Sequence, residues 1–175
     1  LKSTEVFNPA QNQWTPRADN KNNNGDGIEE LTGVGLNGKL YVFGAWGGTG
    51  SNGFYGNFNF AQVYDPDTDT WTSIAPKPTP VSSAPCAVYN GEIYVFGGEF
   101  TYEDARGKER QTRYNVVEAY NPANDTWRLV TKMPKTVINP ALAVVGDRAY
   151  VLGGVSSTIK PLMTPMAFDF ATGTW

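Results

Sequence analysis

The sequence predicts an all-β chain of β-propeller blades, four-stranded antiparallel sheets that follow one another in an open arc of about three and a half. Three observations carry that expectation. An octapeptide recurs four times, as FNPAQNQW at 7–14, YDPDTDTW at 64–71, YNPANDTW at 120–127 and FDFATGTW at 168–175. A second unit precedes three of the four: NGKLYVFGA at 37–45, NGEIYVFGG at 90–98 and GDRAYVLGG at 146–154. The closing tryptophans, at 14, 71, 127 and 175, stand 57, 56 and 48 residues apart. A period of about 50 residues with four strands per unit is the spacing of propeller blades.

Each element follows from local chemistry. Strands are lettered a to d within a unit. The octapeptide places Asp, Asn, Pro, Thr and Gly between two strand-forming ends, which is the composition of a tight reversal joining strands c and d. Direct pairing of its ends sets Phe7 against Trp14, Tyr64 against Trp71, Tyr120 against Trp127 and Phe168 against Trp175. Asn-Gly or Gly-Asp ahead of alternating β-formers marks the a–b hairpin. Strand a is then the short apolar stretch upstream, LTGVGL at 31–36, APCAVY at 84–89 and PALAVV at 140–145. Strand b is apolar on both faces, Leu40 and Val42 on one and Tyr41 and Phe43 on the other, so its sheet has to be sandwiched between neighbours. No segment has helical periodicity beyond a single turn near 103–110, and the charged run 99–113 reads as a solvated loop.

These residues resemble a known family. Hydrophobic-Tyr-Val-Phe-Gly-Gly, then Tyr-Asp-Pro, then Thr-Trp is similar to the kelch repeat, over essentially the whole chain. The first such unit has Gly44-Ala45 in place of Gly-Gly, and the last octapeptide has Phe170 in place of proline. The resemblance implies a six- or seven-bladed propeller, of which this arc is a piece, divided as 1–17 (end of one blade), 28–75, 84–131 and 140–175 (incomplete). It also implies a noncatalytic binding or scaffolding module that recognises a protein or glycan. Kelch-type propellers include galactose-oxidase-like copper enzymes and sialic acid mutarotases, so the alternative is part of an enzyme whose catalytic residues lie in other blades. The open edges would meet the remaining blades or another copy of the chain.

Composition excludes several classes. The net charge is −3 with no basic stripe, which argues against a nucleic-acid partner. No apolar run approaches the ~20 residues of a membrane-inserted helix. The absence of histidine removes Ser-His-Asp and Cys-His catalysis and His-bound copper or zinc within this stretch. The single cysteine, Cys86, reads as a small apolar side chain in strand a. The glycine pairs at 97–98 and 153–154 have no following helix or lysine, so they read as backbone devices and not as phosphate loops. Ala45 at the equivalent place suggests that positive φ is not needed there. Asn124-Asp125-Thr126 is a glycosylation sequon within a turn. Fifteen asparagines and the acidic balance suit a secreted or cell-surface protein, with the cytoplasm as the alternative.

Recognition is expected where the chain varies. The a–b and c–d turns are uniform, whereas strand b tyrosines (41, 94, 150) and strand c aromatics (64, 120, 168) stand 23, 26 and 18 residues apart. Variable b–c and d–a connections on a rigid scaffold are where specificity is built. The ligand-binding candidates are therefore Trp46, Phe54, Tyr55 and Phe58 for stacking and Arg106, Arg110 and Arg113 for anions. No cofactor is expected, with calcium the one exception, because Asn22, Asn24 and Asp26 alternate in an oxygen-rich segment followed by Glu29 or Glu30. If those residues enclose calcium, the melting temperature rises with added calcium, and an unchanged transition at millimolar calcium overturns the site.

Overall fold

A computed structural model describes residues 3–20, 28–48, 55–104, 106–156, 161 and 164–175, with the side chains of 48 and 55–58 outside the description. No helix occurs among the described residues. The strands are β1 (Thr4–Asn8), β2 (Gln13–Arg17), β3 (Ile28–Glu29), β4 (Thr32–Leu36), β5 (Lys39–Gly48), β6 (Tyr55–Asp65), β7 (Thr70–Ser73) and β8 (Cys86–Tyr89). They continue as β9 (Glu92–Phe96), β10 (Glu99–Glu103), β11 (Glu109–Arg113), β12 (Val116–Asn121), β13 (Thr126–Lys132), β14 (Ala141–Val145), β15 (Arg148–Leu152) and β16 (Met166–Asp169). All pairings are antiparallel. β8-β9-β12-β13 form a complete a–b–c–d sheet, and β4-β5-β6-β7 follow the same order. β14-β15-β16 supply a, b and c, and β1-β2 supply c and d. Strands a of successive sheets (β4, β8, β14) touch one another, which puts them on the inner side of the arc.

The octapeptide is a hairpin with a fixed grammar. Phe7 faces Trp14, Tyr64 faces Trp71 and Tyr120 faces Trp127 in register, and the rings of all four pairs lie 5.1–5.3 Å apart. The second residue is always Asn or Asp because its Oδ1 accepts the N–H two residues on, at 3.0 Å for Asn8 and Asp65, 2.9 Å for Asn121 and 3.1 Å for Asp169. The sixth residue takes a left-handed backbone, with φ of 50° at Asn12, 50° at Asp69, 53° at Asp125 and 68° at Gly173, which Asn, Asp and Gly tolerate best.

That sixth residue also ties sheet to sheet. Asp69 Oδ1 accepts the Ala18 N–H at 2.9 Å while the Trp71 indole donates to the Ala18 carbonyl at 3.0 Å. One sheet on, Asp125 Oδ1 accepts the Ala75 N–H at 2.7 Å and the Trp127 indole donates to the Ala75 carbonyl at 2.8 Å. Tyr64 and Tyr120 hydroxyls donate to the same aspartates, at 2.7 and 2.8 Å, and the Tyr120 phenol is held well above its usual pKa by burial and by Asp125. The last unit has Phe168 and Gly173, so the tyrosine hydroxyl and the aspartate carboxylate are missing together, and the buried Trp175 Nε1 has no hydrogen-bond partner among the described residues. Its interface is aromatic instead. Phe170, the departure from proline, stacks on Tyr89 with centroids 4.0 Å apart and meets Tyr94 edge-on at 4.8 Å.

Strand b is sandwiched as its sequence requires. Ile93 and Val95 enter the core shared with Tyr41, Phe43 and Tyr120, while Tyr94 and Phe96 enter the next core with Val117, Val151 and Phe168. Phe7 and Trp14 carry the same motif but are 42% and 65% exposed, because no further strands cover them among the described residues.

Three expectations change. The run 99–113 is a β-hairpin and not a solvated loop, and no helical turn forms among its described residues. Asp104 closes it by accepting the N–H groups of Arg106 and Lys108 at 2.9 and 3.1 Å and the Arg110 Nε–H at 2.9 Å. Positive φ is also needed at the second glycine. Gly98 and Gly154 have φ of 96° and 78°, and a Cβ there would meet the carbonyls of Ser82 and Ile138 at 2.7 and 2.6 Å. At Ala45 the chain instead stays extended, and strand b runs on to Gly48.

The connection from Ile74 to Pro85 is anchored by a buried ion pair. Lys77 Nζ meets Glu118 Oε2 at 2.5 Å and the Thr79 carbonyl at 2.9 Å, while Thr79 Oγ1 donates to Glu118 Oε1 at 2.8 Å. Burial pulls the ammonium below its usual pKa, and Glu118 opposes that shift. Both the latch and the ion pair can be tested by unfolding in urea. Asp125→Ala should cost about 2 kcal/mol, since it orphans two donors, whereas Asp125→Asn, which keeps an acceptor and tolerates the backbone, stays within about 1 kcal/mol. Lys77→Met alone should cost about 3–5 kcal/mol by leaving Glu118 buried and unpaired, and Lys77→Met with Glu118→Leu should recover most of it. Equal losses in the single and double variants would contradict the role of the pair.

Candidate functional site

Antiparallel pairing sends the a–b and c–d turns to one end of each sheet and the b–c and d–a connections to the other. At that second end the blades repeat a small construction. The residue just past the glycine position, five after the strand b tyrosine, is Trp46, Glu99 or Val155. Each pairs with the incoming d–a connection, as Trp46 with Glu29, Glu99 with Ser82 and Val155 with Ile138. The next residues of those connections, Glu30, Ser83 and Asn139, have φ of 58°, 55° and 50° although none is glycine. Their main chains link the blades in series: the Ser83 N–H donates to the Glu30 carbonyl at 3.3 Å and the Asn139 N–H to the Ser83 carbonyl at 3.2 Å.

Above this construction the b–c excursions of two blades join. β5 and β6 extend as a long hairpin, β10 and β11 form another, and they pair where Tyr102 meets Gly56. The result is one sheet, β11-β10-β6-β5-β3, which acts as a canopy. Between the canopy and the d–a connection lies a cavity of about 200 Å³ lined by Glu29, Glu30, Trp46, Glu99, Thr101, Glu109 and Gln111. A second cavity of about 330 Å³ is lined by Glu30, Ser83, Asn139 and their neighbours toward strands a, so the two share Glu30.

The electrostatics are dominated by carboxylates. Glu30 Oε2 accepts from Ser82 Oγ at 2.6 Å and from Ser83 Oγ at 3.0 Å, which fixes its place at the junction. The Glu99 carboxyl is pushed above its usual pKa, first by burial and then by Glu30, against the pull of Arg113 at 3.6 Å. Arg113 also donates to the Ser156 carbonyl. The site can therefore accept hydrogen bonds and cations, and Glu99 can hold or release a proton nearer to neutral pH than an ordinary glutamate.

The residues singled out from sequence scatter. Trp46 lines the cavity. Arg113 stands beside it, paired to Glu99. Arg106 and Arg110 instead belong to the hairpin turn around Asp104. Phe54 lies outside the described residues, and Tyr55 and Phe58 are described only by their backbone in β6. For calcium, Asn22, Asn24 and Asp26 lie outside the described residues, while Glu29 sits in β3 opposite Trp46. Sequence reasoning passed over Ser82, Ser83 and Asn139, and gave Glu30 only a metal role. The signal was nevertheless present, since Glu30, Ser83 and Asn139 each stand eleven residues before a strand b tyrosine.

Comparison with known proteins agrees with this architecture. Residues 1–175 match the KLHDC2/KLHL20/DRC7 Kelch-repeats domain family. The chain is 36% identical over 110 residues to Kelch-like protein terF of Aspergillus terreus, covering 59% of this chain and 22% of that protein. It is 34% identical over 137 residues to N-acetylneuraminate epimerase of Pasteurella multocida, covering 77% of this chain and 33% of that protein. The solved structure of YjhT superposes with a TM-score of 0.75 at 20% identity, over 91% of this chain and 53% of that one, a likeness of fold. The chain thus spans between a fifth and a third of these curated relatives and about half of the solved neighbour.

Proposed function

The chain belongs to the kelch-repeat family of β-propeller domains, and from that premise we propose that it is a noncatalytic recognition module that binds a protein partner on the face carrying the canopy. The observation that supports this reading is the cavity between the canopy and Glu29–Glu30, with Trp46 at its wall. It lies on connections that differ from blade to blade, held by sheets that do not. A tryptophan at the wall of a concave site is the side chain that most often carries binding energy in protein interfaces. A glycan is the other ligand class that such a wall suits.

A second reading is favoured by one observation. Glu99 combines a raised carboxyl pKa with a neighbouring arginine inside a cavity, and one relative is named for epimerising N-acetylneuraminate. In that reading the chain contributes an acid–base group to a carbohydrate-active propeller whose remaining residues lie elsewhere.

The two readings separate experimentally. With a photocrosslinker at position 111 to identify the partner, Trp46→Ala should lower affinity by about tenfold or more in surface plasmon resonance, with the thermal transition little changed. Ala123→Ser, in a c–d turn on the opposite face, should leave affinity unaltered. Loss of binding in the turn variant and its retention in Trp46→Ala would assign recognition to the wrong face. Exchange between the anomers of N-acetylneuraminate, followed by NMR, should stay at its uncatalysed rate, and an acceleration abolished by Glu99→Gln would favour the enzyme.

A further inference from the structure

The octapeptide that joins blades is nearly the same each time, so by itself it says little about which blade belongs beside which. Two positions differ from interface to interface. One lies on the d–a connection, six residues after the octapeptide's tryptophan, and holds Asn20, Lys77 or Met133. The other lies on strand c of the next blade, two residues before its aromatic, and holds Gln62, Glu118 or Met166. Lys77 and Met133 are equivalent in backbone as well as in spacing. The Lys77 N–H donates to the Asn59 carbonyl at 3.3 Å and the Met133 N–H to the Asn115 carbonyl at 2.7 Å, each acceptor standing five residues before its strand c aromatic.

The chemistry at the two positions changes together. At the middle interface Lys77 Nζ reaches across to Glu118 Oε2 at 2.5 Å, and the two side chains are 1% and 6% exposed. One blade on, Met133 and Met166 enter a single apolar core. At the first interface both residues are carboxamides, Asn20 and Gln62, and Gln62 is buried. An ion pair, an apolar pair and two carboxamides thus occupy one place in the three interfaces described. Burial makes a mismatch there costly. Lys77 set against Met166 would leave a buried ammonium without its carboxylate, and Met133 set against Glu118 would leave a buried carboxylate without its ammonium.

We infer that these two positions assign each blade its neighbour: a matched pair of side chains accepts the correct blade, and a mismatch excludes the others, including blades of a second copy of the chain. The ion pair of Lys77 and Glu118 does not owe its place to stability alone, since well-packed apolar residues of similar volume stabilise as much or more. Its effect is to make one interface unlike the next among repeats that share strands, turns and aromatic pairs. Repeat chains otherwise misassemble through their like surfaces, and specificity between similar partners comes from penalties against the wrong one.

The test moves one pair onto another interface in the 175-residue chain. Lys77→Met with Glu118→Met gives the middle interface the pair of the third. This variant is expected to keep a cooperative urea transition close to that of the parent chain. After refolding at high protein concentration, however, the fraction recovered in the parent's size-exclusion peak should fall about threefold or more, because the blade at 28–75 now accepts a second copy's blade at 140–175. Adding Met133→Lys and Met166→Glu exchanges the two pairs outright, makes the interfaces distinct again and should restore the parent's recovery. Recovery at the parent's level in the first variant, or no restoration in the second, overturns the inference. Should either variant not fold, a double-mutant cycle at the third interface decides. Met133→Lys alone should lower the folding constant about a hundredfold, and Met166→Glu beside it should regain about tenfold. Additive losses at 133 and 166 would show that the two positions do not read each other, and the inference would fall.

Discussion

The arrangement of the arc depends on a grip on one alanine's main chain. In two successive interfaces an aspartate in a left-handed turn accepts the alanine N–H, and a tryptophan two residues later donates to its carbonyl. Neither hydrogen bond forms unless the turn has its particular backbone, and the turn has it only because Asp tolerates positive φ and because the preceding Asn or Asp caps the reversal. The tyrosine seven residues before the tryptophan fixes the aspartate from the other side. Local turn chemistry and the relation between blades are thus set by the same eight residues. The last unit shows the coupling by its absence: with Phe168 and Gly173 the polar grip is gone, and Phe170 stacked on Tyr89 takes over the interface.

A scaffold held in this way tolerates strain elsewhere. The connection that carries Ser82 and Ser83 is pinned by a buried Lys77–Glu118 pair at its start and by a bridge to Glu99 near its end. Just past the second anchor Ser83 is held at positive φ, and its hydroxyl and that of Ser82 hold Glu30 in turn. The canopy has the same logic. Two excursions, each too long for a tight turn, pair with each other where Tyr102 meets Gly56, so that strand ladders and not loose segments roof the cavity.

The repeats made the fold legible. Aromatic-to-Trp spacing, Asn-Gly turns and the doubly apolar strand b are local patterns with local causes, and each reappears in the register of the sheets. The candidate site was legible only in part. Trp46 was visible as an aromatic among glycines. The three arginines were read as a set, yet Arg113 alone stands at the cavity, because Arg106 and Arg110 are drawn into the turn by Asp104. The charged run at 99–113 looks like solvated surface because alternation on an exposed hairpin leaves no apolar stripe to read.

What the sequence determined by itself was the blade: which residues form strands, where the chain reverses and which aromatic meets which tryptophan, all interactions closed within a few residues. Only the tertiary structure decided which residues share a cavity. Glu30 is 52 residues from Ser82, whose hydroxyl it accepts, and Glu99 meets Arg113 and Glu30 through different strands. Carboxylates converge there because the inner strands of successive blades touch, and sequence spacing carries no measure of the angle at which one blade follows the next.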